Sequence, residues 1–284
     1  MAGTLFVVAT PIGNLEDISA RAVRVLREVA LIAAEDTRRT GHLLQRFGLT
    51  TRTISFHEHS EKGKTSELIA RLLGGENIAL VSDAGTPTVS DPGEHLIRTA
   101  FEAGIRVEPV PGPSAVVAAL SAAGFGAEGF AFLGFTPRKG SERREWFERV
   151  RASAAIVPAV VFYEAPHRIL STLDELYRTF GALEVAVCRE LTKAHEEIIH
   201  GRLGEIVLAE PRGEFTVALH IGQLTALSKV VVEASPADVA TEFGHITETG
   251  TMTRRQAISF LARKYGLPSR EVFAMLEQAK QSGV

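Results

Sequence analysis

Asn77-Ile-Ala-Leu-Val-Ser82 runs into Asp83-Ala-Gly-Thr-Pro-Thr-Val-Ser-Asp-Pro-Gly93, and further on Arg106-Val-Glu-Pro-Val110 runs into Pro111-Gly-Pro-Ser-Ala115. Each stretch reads as a short strand, a stiff loop of glycine and proline, and the start of a helix. In an open α/β sheet, ligands bind outside the carboxyl ends of the strands, where such loops lie. Two of them in succession predict a small-molecule cleft.

The same alternation extends in both directions. Thr4-Leu-Phe-Val-Val-Ala9 is a continuous apolar run, as expected of a buried parallel strand. Ile18, Ala22, Val25, Leu26 and Val29 then recur at helical spacing, with Ser19 as N-cap. Strands are expected over 31–34 and 52–56, and a helix over 66–73 that stops at Gly74-Gly75. Strand 78–82, helix 93–103, strand 106–110 and helix 114–122 follow. Strands separated by short helices mean βαβ units and a mostly parallel sheet.

A second α/β block begins near Gly129. Phe130-Ala-Phe-Leu133 reads as a strand, 141–151 as a charged helix, Val157 to Tyr163 as a strong strand and 166–180 as a helix. Strands at 184–188 and 215–221 complete it. Residues 222–235 look like a linker and 236–284 like a helical tail. The expected organisation is thus an α/β domain over 1–120, a second over 121–225, and a helical domain over 236–284.

Bulk composition narrows the function classes. A hydrophobic content of 45% over 284 residues supports a sizeable core. The net charge of −3 excludes a uniformly basic nucleic-acid binder, so contacts to RNA must come from local patches. One cysteine, Cys188, excludes an internal disulfide and a cysteine-rich zinc site, and reads as a buried small hydrophobe. The start Met1-Ala-Gly-Thr lacks the basic and apolar segments of a signal peptide, so a cytoplasmic protein without a membrane span is expected.

Three local matches fail on context. Gly124-Phe-Gly-Ala-Glu-Gly129 fits a dinucleotide fingerprint but follows a helix and precedes a strand, the reverse of the required order. Gly63-Lys-Thr65 ends like a phosphate-binding loop, yet Glu58 stands where its first glycine belongs. His57-Glu-His59 lacks zincin spacing and a further ligand cluster, so no metal is expected.

Thr10-Pro-Ile-Gly-Asn-Leu-Glu-Asp17 lies between the first strand and first helix, the usual cofactor position in a doubly wound sheet. With Ala34-Glu-Asp-Thr-Arg38, Val81 to Gly93, Pro109 to Ala115, Phe162-Tyr-Glu-Ala-Pro-His-Arg168 and Arg189-Glu-Leu-Thr-Lys193, it falls in a recognisable order. The chain resembles the class III S-adenosylmethionine-dependent methyltransferases, the tetrapyrrole-methylase superfamily. Within it the bacterial small-subunit ribosomal RNA methyltransferase I subfamily is most similar. The resemblance implies two α/β domains with the cofactor in the cleft between them, and a homodimer.

The resemblance also implies site residues. It places S-adenosylmethionine against Ile12, Asp83, Ala84, Gly85, Thr88, Ser114, Ala115, Glu164 and Leu191. Small residues at 84 and 85 suit a close backbone approach. The tetrapyrrole enzymes carry methionine where Glu164 stands, and an acid there suits a cationic sulfonium only if a dry pocket also pairs it. The implied reaction is methylation of the ribose 2′-hydroxyl of a decoding-centre cytidine in 16S rRNA. Glu35, Asp36 and Asp83 end neighbouring strands and are the candidates for proton removal, with Arg38 and His57 to orient ribose or phosphate. An ion pair fixing a helix start is the other reading of Asp36 and Arg38.

Two segments are candidates for holding RNA. Residues 138–151 carry Arg138, Lys139, Arg143, Arg144, Arg149 and Arg151 around Trp146, diluted by three glutamates, which also describes an ordinary solvated helix. Residues 253–284 carry net +4 against −7 for the remainder. There Ile258, Leu261, Ala262 and Tyr265 form one helical face, Gly266-Leu-Pro268 turns, and Ser269 caps a helix bearing Val272, Phe273 and Leu276. That is a helix-turn-helix pattern, which chance helical hairpins also produce. A porphyrinoid-type methylase and a non-catalytic ribosome-binding protein on the same fold are the competing readings. The positive tail, and Asn14 in place of an aspartate, favour RNA over a porphyrinoid.

Overall fold

The computed structural model describes residues 1–125, 128–209, 211–222, 224, 236–248, 253–265 and 268–281. The chain divides into two compact units, Met1–Gly222 and Gln223–Val284.

The first unit holds two five-stranded sheets. In the first, β1 (Thr4–Val8), β2 (Leu31–Ala34), β3 (Thr53–Ser55), β4 (Ile78–Val81) and β5 (Arg106–Val110) lie in the order β3-β2-β4-β1-β5. All four pairings are parallel. Every residue of β2 (Leu-Ile-Ala-Ala) and β4 (Ile-Ala-Leu-Val) is buried. Helices on both faces are the cause, because alternate side chains then enter two different cores. Ile32, Ala34, Ala79 and Val81 pack with α1 (Ala20–Glu28) and α2 (Thr37–Arg46). Leu31, Ala33, Ile78 and Leu80 pack with α3 (Glu58–Leu73) and α4 (Glu94–Glu102) on the other face. Ser19 caps α1, its hydroxyl accepting from the Ala22 N–H at 3.0 Å.

The second sheet contains β6 (Phe130–Phe135), β7 (Ala159–Glu164), β8 (Glu184–Arg189), β9 (Glu197–Arg202) and β10 (Phe215–His220), in the order β6-β7-β10-β8-β9. Only β6–β7 is parallel. β10 runs antiparallel to both neighbours, and β8–β9 is an antiparallel pair. The expected parallel character therefore holds for the first sheet, while the second is mixed. α5 (Ala115–Ala123) follows β5 and covers the second sheet, with Val116, Leu120 and Ala123 against Ala159, Val161, Ala186 and Ala218. α6 (Gly140–Ser153) and α7 (Ile169–Phe180) flank β7 in sequence.

The second unit comprises α8 (Pro236–Glu248), α9 (Arg254–Tyr265) and α10 (Ser269–Gln281) around Val239, Leu261, Ala262, Val272 and Leu276. Gln256 accepts from both the N–H and the hydroxyl of Thr253 at the start of α9, as in a capping box. The expected linker residues 225–235 and the turn residues Gly266 and Leu267 lie outside the described residues. No helix among the described residues is long and apolar enough to cross a membrane.

Candidate functional site

The parallel strands of the first unit direct their carboxyl ends at one cavity of about 370 Å³. From the first sheet come Ile12, Glu35, Asp83 to Thr86, Val89 to Asp91, Ser114 and Ala115. From the second come Phe135, Tyr163 to Pro166 and Gly213 to Thr216. The start of β10 reaches the cavity because it runs antiparallel to β7 and so begins where β7 ends: Phe215 pairs with Glu164.

Backbone contacts fix the loops. Thr10 and Gly85 exchange N–H···O bonds of 2.8 and 3.0 Å, a two-residue bridge between the loops after β1 and β4. Gly85 has φ +86, a conformation that favours glycine. At Gly13 a Cβ would sit 2.4 Å from Lys193 Cγ and 2.9 Å from the Leu191 carbonyl oxygen. Only glycine lets the first loop touch the 191–193 segment so closely. Ile12 accordingly packs with Ala119, Cys188 and Leu191. Burial pushes the Cys188 thiol up to about 11, which leaves it inert.

Acidic groups dominate the polar lining. The Asp83 N–H donates to Glu35 Oε2 at 3.1 Å, and Asp83 Oδ1 accepts from the Asp36 N–H at 2.9 Å. Arg39 lies 3.6 Å from Asp83 Oδ2. Asp91 is raised to about 6, first by burial and then by the charge of Glu35; Asp83 adds to this, and a hydrogen bond with Ser82 opposes it. Tyr163 is pushed up to about 12 by burial and by Asp91 and Glu214. Such a lining favours a cationic ligand.

Residues 4–207 match the family of tetrapyrrole (corrin/porphyrin) methylases. The chain belongs to this family. Among its relatives, ribosomal RNA small subunit methyltransferase I of Halalkalibacterium halodurans is 42% identical over 282 residues, 97% of this chain and 95% of the relative. The protein of the same name from Pseudomonas aeruginosa is 53% identical over 206 residues, 72% of each chain. A crystal structure of uroporphyrin-III C-methyltransferase from Thermus thermophilus complexed with S-adenosylhomocysteine shares the fold. Its TM-score is 0.53 at 18% identity, over 79% of this chain and all of that one.

In this methylase the expected cofactor residues Ile12, Asp83, Ala84, Gly85, Ser114, Ala115 and Glu164 converge on the cavity. Thr88 and Leu191 do not line it. Thr88 is exposed with φ +71, and Leu191 is buried behind Ile12. Glu164 is only 2% exposed. Its carboxylate is taken up by Arg168 at 2.7 Å, Thr172 Oγ1 at 2.6 Å, the Ala165 N–H at 2.7 Å and the Thr136 hydroxyl. The condition that a buried acid here be paired is met by the protein itself, which leaves that charge already neutralised toward any ligand.

Of the expected catalytic residues, Glu35 and Asp83 face the cavity. Asp36 does not line it. It caps α2, accepting from the Arg38 N–H at 2.8 Å and forming a two-point pair with the Arg38 guanidinium, which holds its carboxyl down at about 2. Arg38 is exposed and outside the lining, as is His57. The structural reading of Asp36 and Arg38, an ion pair at a helix start, describes what these side chains do. The described residues contain no cluster of three or more His, Cys, Asp or Glu arranged to hold a metal.

Sequence reasoning missed Asp91, Arg39, Tyr163 and the 213–216 segment as cavity wall. Asp91 lies within the quoted 83–93 loop, and an acid in a ligand loop was its available signal. Gly213 to Thr216 carried none, because only strand pairing brings them there.

Proposed function

We propose that this methylase transfers the methyl group of S-adenosylmethionine to the ribose 2′-hydroxyl of a decoding-centre cytidine in 16S rRNA, in the cytoplasm and as a homodimer. The observation that carries the reading is the acid-lined cavity at Ala84, Gly85, Ser114 and Ala115, in a chain that aligns over 97% of its length with a ribosomal RNA small subunit methyltransferase I. A volume of about 370 Å³ lies in the range of small-molecule sites. The small side chains leave backbone open to the ligand, and Glu35, Asp83 and Asp91 supply charge of the sign that a sulfonium and an amino group need.

S-adenosylmethionine supplies a methyl group already activated on a cationic sulfur. The chain's own residues have two tasks. They hold the acceptor oxygen in line with the methyl carbon, and they receive the hydroxyl proton. Glu35 and Asp83 are engaged in the contacts that hold the strand ends together. Asp91, raised to about 6, is the cavity carboxylate whose proton affinity best suits a base near neutral pH.

The test is transfer of labelled methyl groups to small subunits from a strain lacking this modification, followed by nuclease digestion. The expected result is one label on a cytidine ribose. Label on a base, or none with S-adenosylmethionine shown by calorimetry to bind, overturns the reading. Sedimentation at working concentration checks the homodimer.

A further inference from the structure

A second concave feature lies at the same end of the second sheet. β6 leaves its sheet through Thr136 and Pro137 into Arg138-Lys-Gly140, where α6 begins. The resulting groove, about 370 Å³, is lined by Arg138, Lys139, Arg143, Arg144 and Arg168, with Glu175 as its one acid.

These five cations have two different roles. Arg143 and Arg168 build the wall. Arg143 donates to Glu175 at 2.8 Å, to the Pro137 carbonyl at 2.8 Å and to Thr172 Oγ1 at 3.0 Å. Arg168 donates to the Thr136 carbonyl at 2.9 Å and pairs with Glu164. Arg138, Lys139 and Arg144 are exposed and form no salt bridge among the described residues. Elsewhere on α6, Arg151 pairs with Glu148, and Arg149 alone of the exposed cations outside the groove forms no salt bridge among the described residues. Unpaired cations concentrated around one groove, in a chain of net charge −3, mark a polyanion site better than a solvated face. The first turn of α6 carries no side-chain cap, which leaves backbone donors of the same sign there.

The groove and the cavity share a wall. Glu164 lines the cavity, its partner Arg168 lines the groove, and the two are 2.7 Å apart. Phe135 stands on the cavity side of this wall, 56% exposed, three residues before Arg138. An exposed aromatic beside a basic groove is the combination that holds single-stranded RNA, bases stacking on the ring while cations follow the backbone.

Building on the RNA reading above, we propose that the Arg138–Lys139–Arg144 groove binds the phosphates flanking the target nucleotide and that Phe135 stacks on a neighbouring base. The groove positions the strand and the cavity performs the chemistry.

The test is the triple variant Arg138→Gln/Lys139→Gln/Arg144→Gln in the full chain, with Phe135→Ala separately and Arg149→Gln as a same-helix control. Binding to a protein-free 16S rRNA fragment is measured across a salt series, beside methyl-transfer kinetics on small subunits. In the triple variant the KM for subunits should rise about 10- to 100-fold. The slope of log affinity against log salt should fall by about two, at about 0.7 per phosphate on single strands. The affinity for S-adenosylmethionine and kcat should be retained, and Phe135→Ala should raise KM several-fold. Arg149→Gln should resemble the parent. Parental affinity and salt slope in the triple variant would overturn the groove while leaving the methyl-transfer reading standing. Loss confined to assembled subunits, with fragment binding intact, would assign the groove to a ribosomal protein instead. A parent chain that neither binds the 16S fragment nor labels small subunits overturns both readings.

Discussion

Glu35 and Asp83 lock neighbouring strand ends together: the Asp83 N–H donates to the Glu35 carboxylate, and the Asp83 carboxylate in turn accepts from the N–H of the residue after Glu35. Two acids thereby set the spacing of the loops after β2 and β4, which are hydrogen-bonded neighbours in the sheet. Glu35→Ala removes an acceptor from a part-buried N–H and should weaken S-adenosylmethionine binding about 10-fold, the scale of one hydrogen bond to a charged group. Glu35→Gln keeps an acceptor and should weaken binding less. Calorimetry on the pair decides, and equal affinities in all three proteins would remove this role.

Asp91 predicts the pH behaviour. Its carboxyl is raised to about 6 from an ordinary 3.8, chiefly by burial, with Glu35 and Asp83 facing it and Ser82 bonded to it. Activity should therefore climb as pH rises through about 6. Asp91→Asn should lower kcat by about 10²- to 10⁴-fold, the usual contribution of a general base, and weaken cofactor binding far less, because Glu35 and Asp83 still supply negative charge to the cavity. Stability runs the other way. A raised acid favours the protonated native state, so its stabilisation is full below 3.8 and is lost as pH rises through about 6. Asp91→Asn should consequently gain up to about 1 kcal/mol at pH 7, after allowing for screening at a partly exposed group. Denaturant melts at pH 4 and pH 7 give both values.

Glu164 and Arg168 form a pair whose acid side chain is fully buried. Arg168→Ala strands a carboxylate that three further donors were arranged to hold as an ion. The expected loss is about 3–5 kcal/mol. Replacing both residues by methionine should cost less than Arg168→Ala alone. A double variant as unstable as the single one contradicts this account.

The helical unit offers a separable test. A chain ending at Gly222 retains the whole of the first compact unit and every residue lining the cavity. It should bind S-adenosylmethionine like the parent, while RNA affinity and its salt dependence fall, because the removed segment, net +1 as a whole, gathers net +4 into its last 32 residues. Reduced cofactor affinity would make these helices part of the cavity's support.

How far the sequence could be read depended on the range of the interactions. Leu31-Ile-Ala-Ala34 and Ile78-Ala-Leu-Val81 are strands of a doubly covered sheet, and an unbroken apolar run has few other uses. The helix expected from Ser66 begins at Glu58, and the sequence hid its first turns because 58–65 is polar and shows no apolar stripe. β9 escaped notice for a related reason: His200 and Gly201 interrupt its pattern, and as an edge strand it pairs only with β8. Ala84, Gly85, Ser114 and Ala115 were legible because each loop directly follows its strand. Thr88 and Leu191 were placed by the resemblance alone; Thr88 is exposed, Leu191 packs with Ile12 in the core, and neither lines the cavity. Glu164 was in view and Arg168 stands only four residues after it, but the Thr136 contact is tertiary and no spacing announces it.

β10 occupies the middle of the second sheet but is its last strand in the chain. The residues that match the family stop at 207, before it begins. During synthesis, at about 5–20 residues per second, β7 and β8 emerge first, each with an edge open where β10 will lie. Until Phe215 to His220 arrive, those edges are templates for pairing with another chain, and the cavity wall at 213–216 does not exist. A nascent chain should thus be unable to hold its methyl donor until its first compact unit is almost wholly made. Donor binding then reports on completed folding, and the interval before it is when this protein is most exposed to misassembly.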